Sequence, residues 1–280
     1  MPIRSASLLV LALAAGACDT TFEGRGEMPE EVAAVYGVLD ARASVQTVRL
    51  EAVRTEPERP PVPPTLQADL VREATGVRTP GAVRLVPLGD GSQARLAAFA
   101  LGLMPGESYR LDVRDAAGHT GSARAVVPPV RAMQVQAPRR DSLRITQGVL
   151  VQGLEGAPAG VTLRYHLVIT VAPSSNFGDT TSVVLQGDVG EPASGGWRVA
   201  ADPQRDAPVL LARAGGPPIE RVRLVRVTVE VTERSAEAAY AAARQGPHFV
   251  RLLGAFSALG ASRVTFVPAA EVIRAAGLRP

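Results

Sequence analysis

The sequence predicts a mostly β protein, a β-sandwich followed by a second antiparallel β domain that carries a short Ala-rich helix. Three observations predict it. Apolar and polar residues alternate with a period of two over repeated short runs, the pattern of strands buried on one face. Turn signals fall about ten residues apart, as in a sandwich. Helical periodicity is confined to one Ala-rich stretch and a short tail. Hydrophobic residues make up 46% of the 280 and aromatic residues only 4%, so the cores are built of Val, Leu and Ala. The single cysteine allows no intramolecular disulfide, and stability must come from burial.

Residues 1–17 read as a signal peptide. Arg4 supplies the positive start, and the apolar run over 8–17 is too short for the roughly 20 residues of a spanning helix. The run ends in Leu13-Ala14-Ala15-Gly16-Ala17-Cys18-Asp19, which looks like a bacterial lipobox with Ala15 where Leu is favoured. The expected modification is a lipid on Cys18, which would hold an exported protein to a membrane. Residues 18–31 are polar, acidic and Gly-containing, as a flexible tether requires. The expected domains are a β-sandwich over 32–130 and a C-terminal β domain over 131–280.

Strand patterns over 35–39 and 45–53 form a hairpin, in which Val48, Leu50 and Ala52 alternate with Arg49 and Glu51. The proline-rich run 56–64 cannot donate to a ladder and is read as a surface loop. Asp90-Gly91 turns the chain between strands at 83–85 and 94–98. Strict alternation over 109–114, a turn over 115–119 and a returning strand over 122–128 complete the first unit, which Pro128-Pro129 closes.

After a polar stretch near Arg139-Arg140-Asp141 comes the longest alternation, in which Val161, Leu163, Tyr165, Leu167, Ile169 and Val171 oppose Thr162, Arg164, His166 and Thr170. Residues 183–185, 197–199 and 209–211 are shorter strand candidates. Within 219–232, Val225, Val227, Val229 and Val231 share one face while Val222 and Leu224 fall on the other. A one-residue bulge at Leu224-Val225 would return both sets to the core. Ser235 offers an N-cap to an Ala-rich helix over 236–244, stopped at Gly246-Pro247. A strand over 263–267 and a helical tail over 269–276 end the chain.

Chemistry is sparse. The net charge of +3 rests on arginine, and the absence of lysine excludes a P-loop and a Ser-x-x-Lys nucleophile. There is no Gly-x-Ser-x-Gly elbow and no cysteine beyond Cys18. His119, His166 and His248 lack a second ligand at metal-binding spacing and read as exposed bystanders. Oxygen ligands over 112–118 are too few for a calcium loop. Glu30-Glu31 and Glu56/Glu58 fall in the tether and the proline-rich loop, where they stay solvated. Trp197 and Tyr36 read as core or rim. Arg49, Arg54, Arg110, Arg114, Arg221 and Arg226 are scattered through strands as a solvated face, and export argues against nucleic acid as a partner. The expectation is a non-enzymatic protein with no catalytic, cofactor-binding or metal-binding residues.

Several pieces together resemble a family of Bacteroidota-type outer-membrane lipoproteins known as a domain of unknown function. They are Cys18 with its acidic tether, Ala34-Val35-Tyr36-Gly37-Val38-Leu39-Asp40 leading into 44–50, and Leu103-Met104-Pro105-Gly106-Glu107-Ser108-Tyr109-Arg110-Leu111-Asp112-Val113 with Gly118. Gly254-Ala255-Phe256-Ser257 is a fainter match. The Leu-x-Pro-Gly-x-x-Tyr-x-Leu-x-Val start recurs in immunoglobulin-like and fibronectin-like sandwiches, so an immunoglobulin-like first domain is expected. The resemblance implies a lipoprotein, at the surface or facing the periplasm, of the kind that accompanies TonB-dependent uptake receptors, and it transfers no functional residues. A structural or adhesive module of the envelope is the alternative. Asp19 points to inner-membrane retention under enterobacterial sorting rules, whereas acidic residues after the cysteine accompany export in the resembling family.

Overall fold

A computed structural model of the chain describes residues 31–52, 66–87, 93–114, 116, 120–141, 143–175, 177–235 and 250–280. The protein is mostly β, as its alternation predicts. Strands β1 (Glu31–Asp40) and β2 (Gln46–Ala52) make the expected hairpin. Its turn is held by buried Gln46, whose Oε1 accepts the Asp40 N–H at 2.8 Å and whose Nε2 donates to the carbonyls of Asp40, Ala43 and Leu101. Two further hairpins follow, β3 (Gln67–Arg72) with β4 (Val77–Pro80), and β5 (Ala82–Pro87) with β6 (Gln93–Phe99).

Strands β7 (Ser108–Arg114) and β8 (Thr120–Val126) pair as the alternation requires. At their approach the Met104 N–H donates to the hydroxyl of fully buried Tyr109 at 2.9 Å. A tyrosine bonded to the backbone a few residues upstream is the corner found in immunoglobulin-type sandwiches.

The second half contains β9 (Met133–Arg140), β10 (Ile145–Gln152), β11 (Gly160–Thr170), β12 (Gly178–Gln186), β13 (Glu191–Ala193), β14 (Gly196–Ala201), β15 (Val222–Arg234) and β16 (Val250–Phe266). Helix α1 (Pro203–Arg213) and helix α2 (Ala270–Ala275) complete it. The segment 209–211, expected as a strand, lies inside α1. Its N-cap is Asp202, which accepts the Arg205 N–H at 3.0 Å, and Pro203 follows at the start, where a missing N–H costs nothing. Two strand pairs were also absent from the sequence reading. One is β3–β4; the other is β9–β10, whose exposed end is the Arg139-Arg140 stretch.

One eight-stranded sheet, in the order β12-β11-β15-β16-β1-β2-β6-β5, runs through the whole molecule. Over its β1 side lies the sheet β4-β3-β7-β8, and over its β15 side the sheet β13-β14-β10-β9. Each pair of layers encloses its own core. The first core contains Val35, Leu39, Leu50, Leu70, Phe99, Tyr109 and Leu111, and the second Val149, Val151, Leu163, Tyr165, Leu167, Val199 and Leu210. The two units expected at 32–130 and 131–280 thus share a strand. The first part of β16 pairs in parallel with β1 and sends Phe256 and Ala258 into the first core, while its last part pairs with β15 and packs Val264 and Phe266 against the second.

The junction is tightly built. A Cβ at Gly260 would stand 2.5 Å from the Pro128 carbonyl oxygen. Beside it the Arg131 N–H donates to Ser262 Oγ at 2.7 Å, and the Arg131 guanidinium grips Glu233 through two bonds of 2.9 and 2.7 Å.

The irregularity expected in β15 is present. His166 pairs with Arg226 but the next residue, Leu167, pairs with Leu224, so Val225 is the extra residue of a bulge. Val222, Leu224, Val227 and Val229 are all buried as a result. Deleting Val225 restores a regular alternation and should cost about 1 kcal/mol or less. Deleting Thr228 moves Arg226 into the inward slot of Val227 and should cost at least roughly 3 kcal/mol, the scale of an uncompensated buried charge. Denaturant unfolding of the two deletion variants checks the ordering.

Candidate functional site

Cys18, the expected lipidation site, lies outside the described residues, as do the signal segment, His119, His248 and the Ala-rich stretch 236–244. No helix among the described residues is long and apolar enough to cross a membrane. Nor does any cluster of three or more His, Cys, Asp or Glu among them suit a metal.

The strongest candidate lies on the outer face of the long sheet. Alternation that sends Leu163, Tyr165 and Leu167 inward sends Thr162, Arg164 and His166 outward on β11. Pairing then brings β15 alongside, with His166 opposite Arg226, Arg164 opposite Thr228 and Thr162 opposite Glu230. On the far side, Thr265 faces Thr228 and Arg263 faces Glu230 from β16. These residues line a shallow depression of about 450 Å³.

Its centre is a chain of polar bonds. Ser182 Oγ of β12 lies 3.0 Å from His166 Nδ1, His166 Nε2 lies 3.2 Å from Thr228 Oγ1, and Thr228 Oγ1 lies 2.8 Å from Thr265 Oγ1. The imidazole is partly buried and bonded at both nitrogens, which corrects its reading as an exposed bystander. Burial, followed by the positive charges of Arg226 and Arg164, holds its pKa below the ordinary value. Glu230, the carboxylate lining this depression, is already engaged by Arg42 at 3.1 Å and Arg263 at 3.3 Å. Among the described residues, neither Arg164 nor Arg226 has a carboxylate within 4 Å, and both are exposed.

The outer face of the smaller first sheet behaves differently. There Arg78 reaches Asp69 and Asp112, Arg110 grips Asp112 at 2.7 Å, and Arg124 bonds Glu73 at 2.6 Å. The charges cancel in place, and Asp112 sits in a strand among arginines, not in a calcium loop. Trp197 packs against the second core and donates its indole N–H to the Val189 carbonyl at 2.6 Å, so it is a rim residue. Tyr36 is 46% exposed on β1.

The reading of scattered arginines as a solvated face holds for Arg110 and Arg114 but not for Arg49, whose Nε is buried, and it misses the Arg164–Arg226 pair; Arg54 lies outside the described residues. Strand register across a long sequence interval is what places the two residues diagonally on one face, and no local signal announces it. Compared with known proteins, the chain matches no family model and no curated protein.

Proposed function

We propose that this chain is an exported, non-enzymatic lipoprotein, anchored by lipid on Cys18, which uses the Arg164–His166–Arg226 face to bind a ligand or a partner protein, in the role of an accessory to a TonB-dependent uptake receptor at the outer membrane. The observation that carries the binding face is the pair of exposed arginines without carboxylate partners among the described residues, set around a half-buried imidazole. Side chains that serve solubility alone interleave with opposite charge, as they do on the first sheet. Unbalanced charge on a flat sheet face is the feature that electrostatic recognition uses. The lipobox-like segment and the acidic stretch over 18–31 support the anchor.

The alternative is a structural or adhesive module, for which two sandwiches on a tether serve as well. Purification of the tagged full-length chain from detergent-solubilised membranes separates them. Binding at this face predicts that an outer-membrane receptor co-purifies with the wild type and is lost from the Arg164→Glu/Arg226→Glu double variant. Retention of the chain in cell-wall or matrix fractions with no receptor would contradict it and favour the adhesive role.

A further inference from the structure

We propose that the Arg164–Arg226 face is an oxyanion site with proton-coupled affinity, in which a carboxylate, phosphate or sulfate group is held by the two guanidinium groups and by one hydroxyl end of the Ser182–His166–Thr228–Thr265 chain. This rests on the reading of the face as a binding surface and names the chemistry it takes. Cross-strand pairing makes Arg164 and Arg226 diagonal neighbours on one face of β11 and β15, close enough for long side chains to meet over one group. Arginine's planar fork suits oxyanions in particular.

The hydroxyl chain adds direction. A neutral imidazole donates from one nitrogen and accepts at the other, so the chain must run one way. If Nδ1 accepts from Ser182, Nε2 donates to Thr228, Thr228 donates to Thr265, and the Thr265 hydroxyl is left to donate outward. In the other tautomer the polarity reverses and Ser182 is the outward donor. Both terminal residues are exposed. Protonation makes both nitrogens donors, and then Ser182 and Thr265 donate outward together. When His166 takes up a proton, an anion at either end therefore meets an outward hydroxyl donor and the site gains a third positive charge, and by linkage the anion must raise the pKa of His166.

The charged groups facing His166 fit this. Arg164 stands on its own strand, Arg226 and Glu230 on β15, and Arg263 on β16, with Arg42 reaching Glu230 from the β1–β2 turn; β12 brings Ser182, Val184 and Gln186 and no charge. Burial and the two arginines disfavour the charged imidazole in the free protein, so an anion that offsets those charges favours uptake of a proton from solvent as pH falls.

The test is a titration of the full-length protein with sodium sulfate, a dianion across pH 5–8, against sodium chloride at matched ionic strength. Binding is followed by the backbone amide resonances of β11 and β15 in every variant, and the His166 ring protons report the pKa of that residue where it is present. The proposal predicts a saturable response to sulfate alone, and binding that tightens as pH falls from 8 to 5, by at most about tenfold for each unit by which sulfate raises the His166 pKa. Arg164→Gln and Arg226→Gln should each weaken it roughly tenfold, while His166→Gln should lose the pH dependence and bind no tighter at pH 5 than at pH 8. These are outward-facing positions, and unchanged thermal unfolding confirms that the variants fold. An equal response to chloride, no saturation, or wild-type binding by both arginine variants would overturn the proposal. If sulfate fails while a receptor still co-purifies through this face, the oxyanion chemistry is wrong and the binding face stands. If sulfate binds but no receptor is found, the receptor role fails and the oxyanion site stands.

Discussion

Phe256→Ala should lower the unfolding free energy by about 3–5 kcal/mol, the usual cost of emptying a fully buried aromatic site. The damage should appear in the first sandwich, although the residue comes from near the end of the chain. Phe256 is fully buried among the residues of the first core, on the part of β16 that pairs with β1, where it stands opposite Gly37. A fragment ending at residue 130 should accordingly fail to fold, because it lacks β16 and leaves both the edge of β1 and the Phe256 site open. Urea unfolding gives the magnitude, and amide hydrogen exchange gives the location. Faster exchange in β1, β2 and β7 than in β11 and β12 is the expected pattern. A loss below about 1 kcal/mol, or a stable fragment 32–130, would mean that the two sandwiches are independent.

How much of this was legible in the sequence varies with the range of the interaction. β7 and β11 were readable because one face of each is buried, which forces strict alternation of Tyr109, Leu111 and Val113, and of Val161, Leu163, Tyr165 and Leu167. The bulge at Val225 was readable for the same reason, since a break in phase leaves a trace in the residues themselves. Helix α1 was missed because Pro208 and the apolar triplet 209–211 outweighed the start signal in Asp202-Pro203. The sharing of β16 could not be read, because only the last part of that strand shows alternation and its parallel partner β1 lies at the other end of the chain. The candidate site depends on register between β11, β15, β16 and β12, so its residue types were visible while their meeting was not.

The second large effect concerns the anchor. Each buried methylene contributes about 0.8 kcal/mol, so a single acyl chain holds a protein only marginally, whereas two or more hold it firmly. The thiol of Cys18 is the only one in the chain, and no other residue can take its place in lipid attachment. The shared sheet and its cationic face act in the proposed setting only if that attachment is made. The direct measurement is expression in bacterial cells supplied with labelled palmitate, followed by membrane fractionation of the wild type and Cys18→Ala. The account predicts label and membrane sedimentation for the wild type, and neither for the variant. An unlabelled wild type, or a Cys18→Ala chain that still sediments with the membrane, would contradict it.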